Sequence, residues 1–167
     1  MQILRLVRDK WDDRFLEMAK LVASWSKDPS TQVGAVLVRP DKSVLSVGFN
    51  GLPRGIEDRE ELLADREYKY ARIIHAELNA ILASAERPAD CTLYVWPLPP
   101  CSLCAAHIIQ AGITRVVAPA PSLTRPEWWD SAKAGSDMLR QVGVECDWYS
   151  RTSVGVGEMP PLEPRHA

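Results

Sequence analysis

The second half of the chain alternates strand and helix patterns, and that alternation limits the folds open to it more than any other feature. TLYVW (92–96), TRVVA (114–118) and VECDWY (144–149) are three β-rich runs. Between the first two, the cluster Pro97, Pro99 and Pro100 and then Gly112 supply the start and stop signals of a helix over 101–111. Between the second and third, Trp128, Ala132, Gly135, Leu139 and Val142 recur at steps of 4, 3, 4 and 3, one apolar stripe that Gly143 terminates. Strands joined through helices pair in parallel, so the pattern predicts an α/β layered sheet, parallel in its later part.

The first half adds a hairpin. VGAVLV (33–38) and SVLSVGF (43–49) are separated by the turn-forming RPDK (39–42), which predicts an antiparallel pair. Ahead of it, Trp11, Phe15, Met18, Val22 and Trp25 form a stripe at steps of 4, 3, 4 and 3, a packing helix that Lys27-Asp28-Pro29 stops. NGLPRG (50–55) and the charged stretch to Tyr70 read as surface loop with some helix, and a further helix is expected from near Ile74 to before Pro88, burying Leu78, Ile81, Leu82 and Ala85. The whole reads as one domain over residues 1–149. Gly155, Gly157, Pro160, Pro161 and Pro164 preclude regular structure beyond it, leaving 150–167 as an extended or disordered tail.

A chain of 167 residues buries roughly two-thirds of its unfolded surface. It needs no metal to fold, so a metal site, if built, serves chemistry. With 20 basic and 22 acidic side chains the net charge is −2, too weak a field for a nucleic-acid partner. No run of eighteen apolar residues exists and MQILRLVRDKWDDRF breaks into charge at once. Neither membrane span nor secretory signal is expected, which makes the expected location cytoplasmic and the expected partner a small molecule.

Four cysteines, Cys91, Cys101, Cys104 and Cys146, are too few for a disulfide scaffold. Cys91 and Cys146 fall beside or within strands and read as core thiols. Cys101-x-x-Cys104 is a redox pair or a metal pair. At a helix start the two sulfurs share one side, and the positive end of the helix dipole favours thiolates. His75 would complete a set of three ligands that leaves zinc a fourth position for water, with Glu77 beside it as acid/base. A closed structural site would need His107, which six helical positions place about 120° from Cys101. A thioredoxin-like role would leave His75 and Glu77 unexplained.

His-Ala-Glu followed downstream by Pro-Cys-x-x-Cys is the signature of zinc-dependent nucleobase deaminases. In that chemistry Glu77 moves the protons, the backbone N–H of Ala76 holds the base carbonyl, and Asn50 offers a donor and an acceptor to a sugar or base edge. The segments SKDPSTQVGAVLV (26–38), GFNGLPRG (48–55), KYARIIHAELNAI (69–81), PPCSLCA (99–105) and IIQAGITRVV (108–117) resemble the deoxycytidylate deaminase family. The resemblance implies a three-layer α/β/α cytidine-deaminase-like fold with a mixed sheet, one catalytic Zn²⁺, conversion of dCMP to dUMP for thymidylate synthesis, and a homo-oligomer. It also implies a nucleotide effector, dCTP or dTTP with Mg²⁺, at the segment carrying Gly51, Pro53 and Gly55. Candidates for a 5′-phosphate are Lys27, Ser30, Thr31 and Arg54. Ile56-Glu57-Asp58 stands where many members have a cysteine, so no accessory zinc site is implied. Two other readings share the motif: a deaminase of another base, nucleoside or single-stranded nucleic acid, and a non-catalytic zinc-stabilised interaction module.

Overall fold

The computed structural model describes residues 9–150. The tail lies outside them apart from Ser150. Helix α1 (Lys10–Ala23) leads into strands β1 (Gly34–Val38) and β2 (Val44–Phe49). Two short helices follow, α2 (Glu60–Ala64) and α3 (Arg66–Tyr70), and then α4 (Ala76–Ala83). The alternating half is β3 (Thr92–Trp96), α5 (Ser102–Ala111), β4 (Arg115–Pro119), α6 (Pro126–Gln141) and β5 (Glu145–Tyr149). The sheet order is β2-β1-β3-β4-β5. β1 is antiparallel to both neighbours, whereas β3, β4 and β5 are parallel, as the alternation predicts.

Alternate side chains of each strand feed opposite layers. Ala35, Leu37, Leu93, Val95, Val116 and Ala118 pack beneath α4, α5 and α6. Val36, Val38, Tyr94, Trp96, Val117 and Tyr149 pack against Phe15, Leu16, Ala19, Val22 and Ala23 of α1. This is a three-layer α/β/α arrangement. An ionic clasp ties α1 to the parallel strands: Arg115 donates to both oxygens of Asp12 at 2.8 and 2.9 Å and to Asp147, while the Tyr94 hydroxyl donates to Asp12 at 2.7 Å. Among the described residues no helix is long and apolar enough to cross a membrane.

Two helices bury only part of the face their large side chains predict: Phe15 and Val22 are buried and Trp11 and Ile81 pack against the core, whereas Met18, Trp25 and Leu82 turn outward. On α1, Met18 is 37% and Trp25, just past the helix, 50% exposed, and the buried face runs through Asp12, Phe15, Leu16, Ala19, Val22 and Ala23. On α4, Leu82 is 67% exposed, Ala85 lies past the helix end and is also exposed, and the buried residues are Ala76, Glu77 and Ala80. The cause is the same in both. A Cβ on Gly34 would sit 2.0 Å from the Ala19 carbonyl oxygen, and one on Gly48 would sit 2.2 Å from the Ala80 nitrogen. At these two points of closest approach the helices present alanines to the sheet, Ala19 and Ala23 on α1 and Ala76 and Ala80 on α4. Cys91 is buried and Cys146 packs against the core as a free thiol, in keeping with their reading as packing residues.

Candidate active site

The strand ends facing one edge of the sheet deliver the site. Because β1 runs against β3, the residue before β1, Val33, lies beside the segment leaving β3, and Asn50 leaves β2 at the same edge. A cavity of about 320 Å³ opens there, within the usual range for small-molecule sites. Its walls include Val33 and Asn50 from the hairpin, Leu98 and Pro99 after β3, and Thr124 and Trp128 after β4.

His75, Glu77 and Cys101 reach this cavity from two helix starts. His75 is the N-cap of α4 and Cys101 the N-cap of α5, both with extended backbone, so each side chain stands at the positive end of its helix. Gly112 closes α5 in the left-handed conformation (φ +84°), the stop that its sequence signals. The Sγ atoms of Cys101 and Cys104 lie 3.5 and 3.3 Å from Nδ1 of His75. Tetrahedral zinc with ordinary bond lengths sets sulfur and nitrogen about 3.5 Å apart, so the three ligand atoms fit that ion. They form the described residues' only cluster of this kind, with all ligand atoms within 4.8 Å of one another. His107 stands apart, its Nδ1 2.7 Å from the Leu103 carbonyl oxygen.

Taken by themselves, these side chains shift one another's titration. The Cys104 thiol, hydrogen-bonded to Cys101, brings Cys101 down to about 4 against the opposing pull of burial, with His75 assisting. His75 in turn rises to about 9, chiefly through its hydrogen bond with Cys101. Cys101 and burial push the Cys104 thiol up, so binding a metal at the three side chains would release protons. Glu77 is 4% exposed, and burial pushes its carboxyl above the ordinary carboxylate range despite the nearby His75.

The rest of the cavity wall divides the other candidates. Asn50, Ala76, Ser30 and Thr31 line it. The Asn50 amide is engaged within the protein: its Oδ1 accepts from Val33 N at 2.8 Å, and its Nδ2 donates to the Thr31 carbonyl at 2.8 Å and to Asp28 at 3.3 Å. Lys27 and Arg54 do not line it. Lys27 pairs with Asp58 at 2.9 Å with its side chain 69% exposed, and Arg54 is exposed. Gly51 pairs with Ile74 in a short two-way bridge, which ties the turn carrying Pro53 and Gly55 to the residue preceding His75.

Sequence reasoning missed the buried pair Asp28 and Lys69. Lys69 Nζ lies 2.9 Å from Asp28 Oδ1 and 2.6 Å from Ser30 Oγ, and both side chains are almost wholly buried in the cavity wall. Asp28 also accepts from Ser30 N and Thr31 N, a local turn that D-P-S-T could have signalled. Lys69 carried no such signal, since its partner lies 41 residues away.

Residues 9–120 match the family model described as the cytidine and deoxycytidylate deaminase zinc-binding region. An uncharacterized deaminase of the luxG 3′ region in Aliivibrio fischeri is 46% identical over 142 residues, covering 83% of this chain and 93% of that one. The deoxycytidylate deaminase of Mus musculus is 41% identical over 116 residues, covering 65% of this chain and 64% of the mouse protein. The crystal structure of dCMP deaminase from the cyanophage S-TIM5, in complex with dCMP and dUMP, aligns with a TM-score of 0.67 at 26% identity over 86% of this chain and 99% of that one. The mixed five-stranded sheet is thus the cytidine-deaminase-like fold, its His/Cys/Cys cluster falls inside the matched zinc-binding region, and the chain belongs to the cytidine and deoxycytidylate deaminase family.

Proposed function

We propose that this protein is a cytoplasmic enzyme of nucleotide metabolism that hydrolyses dCMP to dUMP and ammonia, feeding thymidylate synthesis. One observation carries the reading: a buried carboxyl, Glu77, stands two residues from His75 in the cavity where the two thiols converge on that imidazole. His75, Cys101 and Cys104 are the zinc ligands. Zinc held by this imidazole and these two thiolates would supply an activated water as the nucleophile. Glu77 takes a proton from the attacking water and passes it to the ring nitrogen, then takes the proton of the new C4 hydroxyl and passes it to the amine, which leaves as ammonia as the C4 carbonyl forms. Its raised affinity for protons, caused by burial, suits a group that must hold one between transfers. The backbone N–H of Ala76, in the first turn of α4, is the donor for the base carbonyl.

Asn50 acts by holding the Thr31 and Val33 backbones in the wall, through the hydrogen bonds already described, and Ser30 and Thr31 face the sugar-phosphate end. The turn carrying Gly51, Pro53 and Gly55 is assigned to a dCTP or dTTP effector with Mg²⁺; its bridge to Ile74 supports a route to His75. A homo-oligomer is the proposed assembly, supported by the exposed Leu21, Trp25, Phe49 and Leu82.

The test is metal content together with ultraviolet assays on dCMP, CMP, deoxycytidine and single-stranded DNA. The expected result is one zinc per chain and turnover highest on dCMP. Glu77→Gln should keep its zinc and lose about 10²–10⁴-fold in turnover. Activity retained in Glu77→Gln would sink the mechanism, and zinc with no turnover of any substrate would favour the interaction module.

A further inference from the structure

A 5′-phosphate brings a charge approaching −2 at neutral pH and is best matched by the planar fork of a guanidinium. Among the described residues, the cavity lining supplies no free lysine or arginine for it. Lys69, the only lysine or arginine among the described lining residues, is spent on Asp28 and Ser30, Lys27 is paired with Asp58, and Arg54 is exposed with neither chain neighbour in the lining.

The segment after β4 supplies what the lining lacks. Arg125 is itself outside the lining, but it follows Thr124 and precedes α6, and both Thr124 and Trp128 line the cavity. Its guanidinium carbon lies 5.3 Å from the centre of the Trp128 ring, a cation stacked on the residue that forms that part of the wall. No carboxylate among the described residues pairs with it, and its side chain does not cap α6. Its Nε is buried and has no hydrogen-bond partner among the described residues. Buried donors are almost always satisfied, and the exceptions mark places that a water or ligand completes.

We propose that Arg125, stacked on the cavity-lining Trp128, is the counter-charge for the substrate's 5′-phosphate and so sets the preference for nucleotide over nucleoside. This rests on the nucleotide-deaminase reading given above. The positive end of α6, a helix of 16 residues, adds to the attraction but does not carry it.

The experiment compares kcat/KM for dCMP and for deoxycytidine in the wild-type holoenzyme, Arg125→Met and Arg125→Lys. Methionine keeps an apolar stem against Trp128 and removes the fork. Arg125→Met should lower kcat/KM for dCMP by about 10–100-fold, chiefly through KM, and leave deoxycytidine within about twofold. Arg125→Lys should fall between, since a single ammonium keeps the charge without the paired donors. An unchanged ratio of dCMP to deoxycytidine in Arg125→Met overturns the assignment. Equal loss on both substrates overturns it too, because that is the signature of a residue that only props up Trp128. A wild-type enzyme with no preference for dCMP overturns the nucleotide reading itself, before any variant is measured.

Discussion

Replacing Lys69 with methionine removes one charge from a pair that water does not reach. The Lys69 and Asp28 side chains are 2% and 4% exposed, with Nζ and Oδ1 2.9 Å apart. Removing one partner of a buried ion pair costs about 3–5 kcal/mol, because the other charge stays behind uncompensated. Asp28 would still accept from Ser30 N and Oγ at 2.9 Å, from Thr31 N at 3.2 Å and from Asn50 Nδ2 at 3.3 Å. Those donors place Lys69→Met at the lower end, about 3 kcal/mol. Asp28→Asn is expected at the upper end, about 5 kcal/mol, because the buried Lys69 ammonium would face only neutral acceptors, the new amide oxygen and Ser30 Oγ. The double variant should cost clearly less than the sum of the two. Urea unfolding at neutral pH with zinc in fixed excess reads all three. At a slope of about 2 kcal/mol per molar urea, Lys69→Met should lower the midpoint by about 1.5 M. A shift below about 0.5 M at unchanged slope, or strict additivity in the double variant, would refute the claim that the pair is desolvated and coupled.

Further outcomes follow from the same structure. Gly48→Ala drives a methyl group to within 2.2 Å of the Ala80 nitrogen and 2.4 Å of the Ala76 oxygen, so it should cost about 3 kcal/mol and lower the zinc content by displacing the start of α4; unaltered melting with full zinc would contradict the close approach. Burial alone would raise the Asp12 carboxyl, but the hydrogen bonds from Arg115 and Tyr94 outweigh it and hold the group below its usual value. Its contribution to stability is therefore complete above the unfolded-chain value of about 3.9 and is lost as the pH falls from there through the lower folded value. Asp12→Asn should flatten the stability profile in that acid range, and parallel profiles would count against the clasp. Stripping zinc with a chelator should abolish turnover and lower the melting temperature while leaving a cooperative unfolding transition, since both core clusters form without the ligands; loss of the far-ultraviolet helical signal would show that the metal is structural.

The parallel half of the fold was legible because punctuation and period agree there. The prolines before Cys101, Gly112 after α5, and the stripe through Ala132, Gly135 and Leu139 point the same way, and the structure follows them. The inward faces of α1 and α4 were only partly legible from side-chain size: Phe15, Val22 and Ile81 turn inward, while Met18, Trp25 and Leu82 do not. They follow from two glycines in neighbouring strands, and a glycine shows what it permits only when its partner is known. The His75, Cys101 and Cys104 cluster was visible because chemistry requires a motif on each of two helix starts. The wall around it was not, because Lys69 and Trp128 look like an ordinary surface charge and a packing aromatic until the fold brings them to one cavity.

The close approaches at Gly34 and Gly48 give the cavity two walls of unequal freedom. Gly34 stands opposite Phe49 and Gly48 opposite Ala35, so α1 grips one face of the hairpin and α4 the other at nearly the same point. Val33 and Asn50, which leave that clamp directly, form a wall that side-chain substitution can scarcely move. Leu98, Thr124, Trp128 and Ser131 line the cavity from outside the hairpin, on the loops after β3 and β4 and the first two turns of α6. A laboratory search for altered base or sugar preference therefore has its productive diversity at those four positions, and libraries directed at the hairpin would mostly yield unfolded chains.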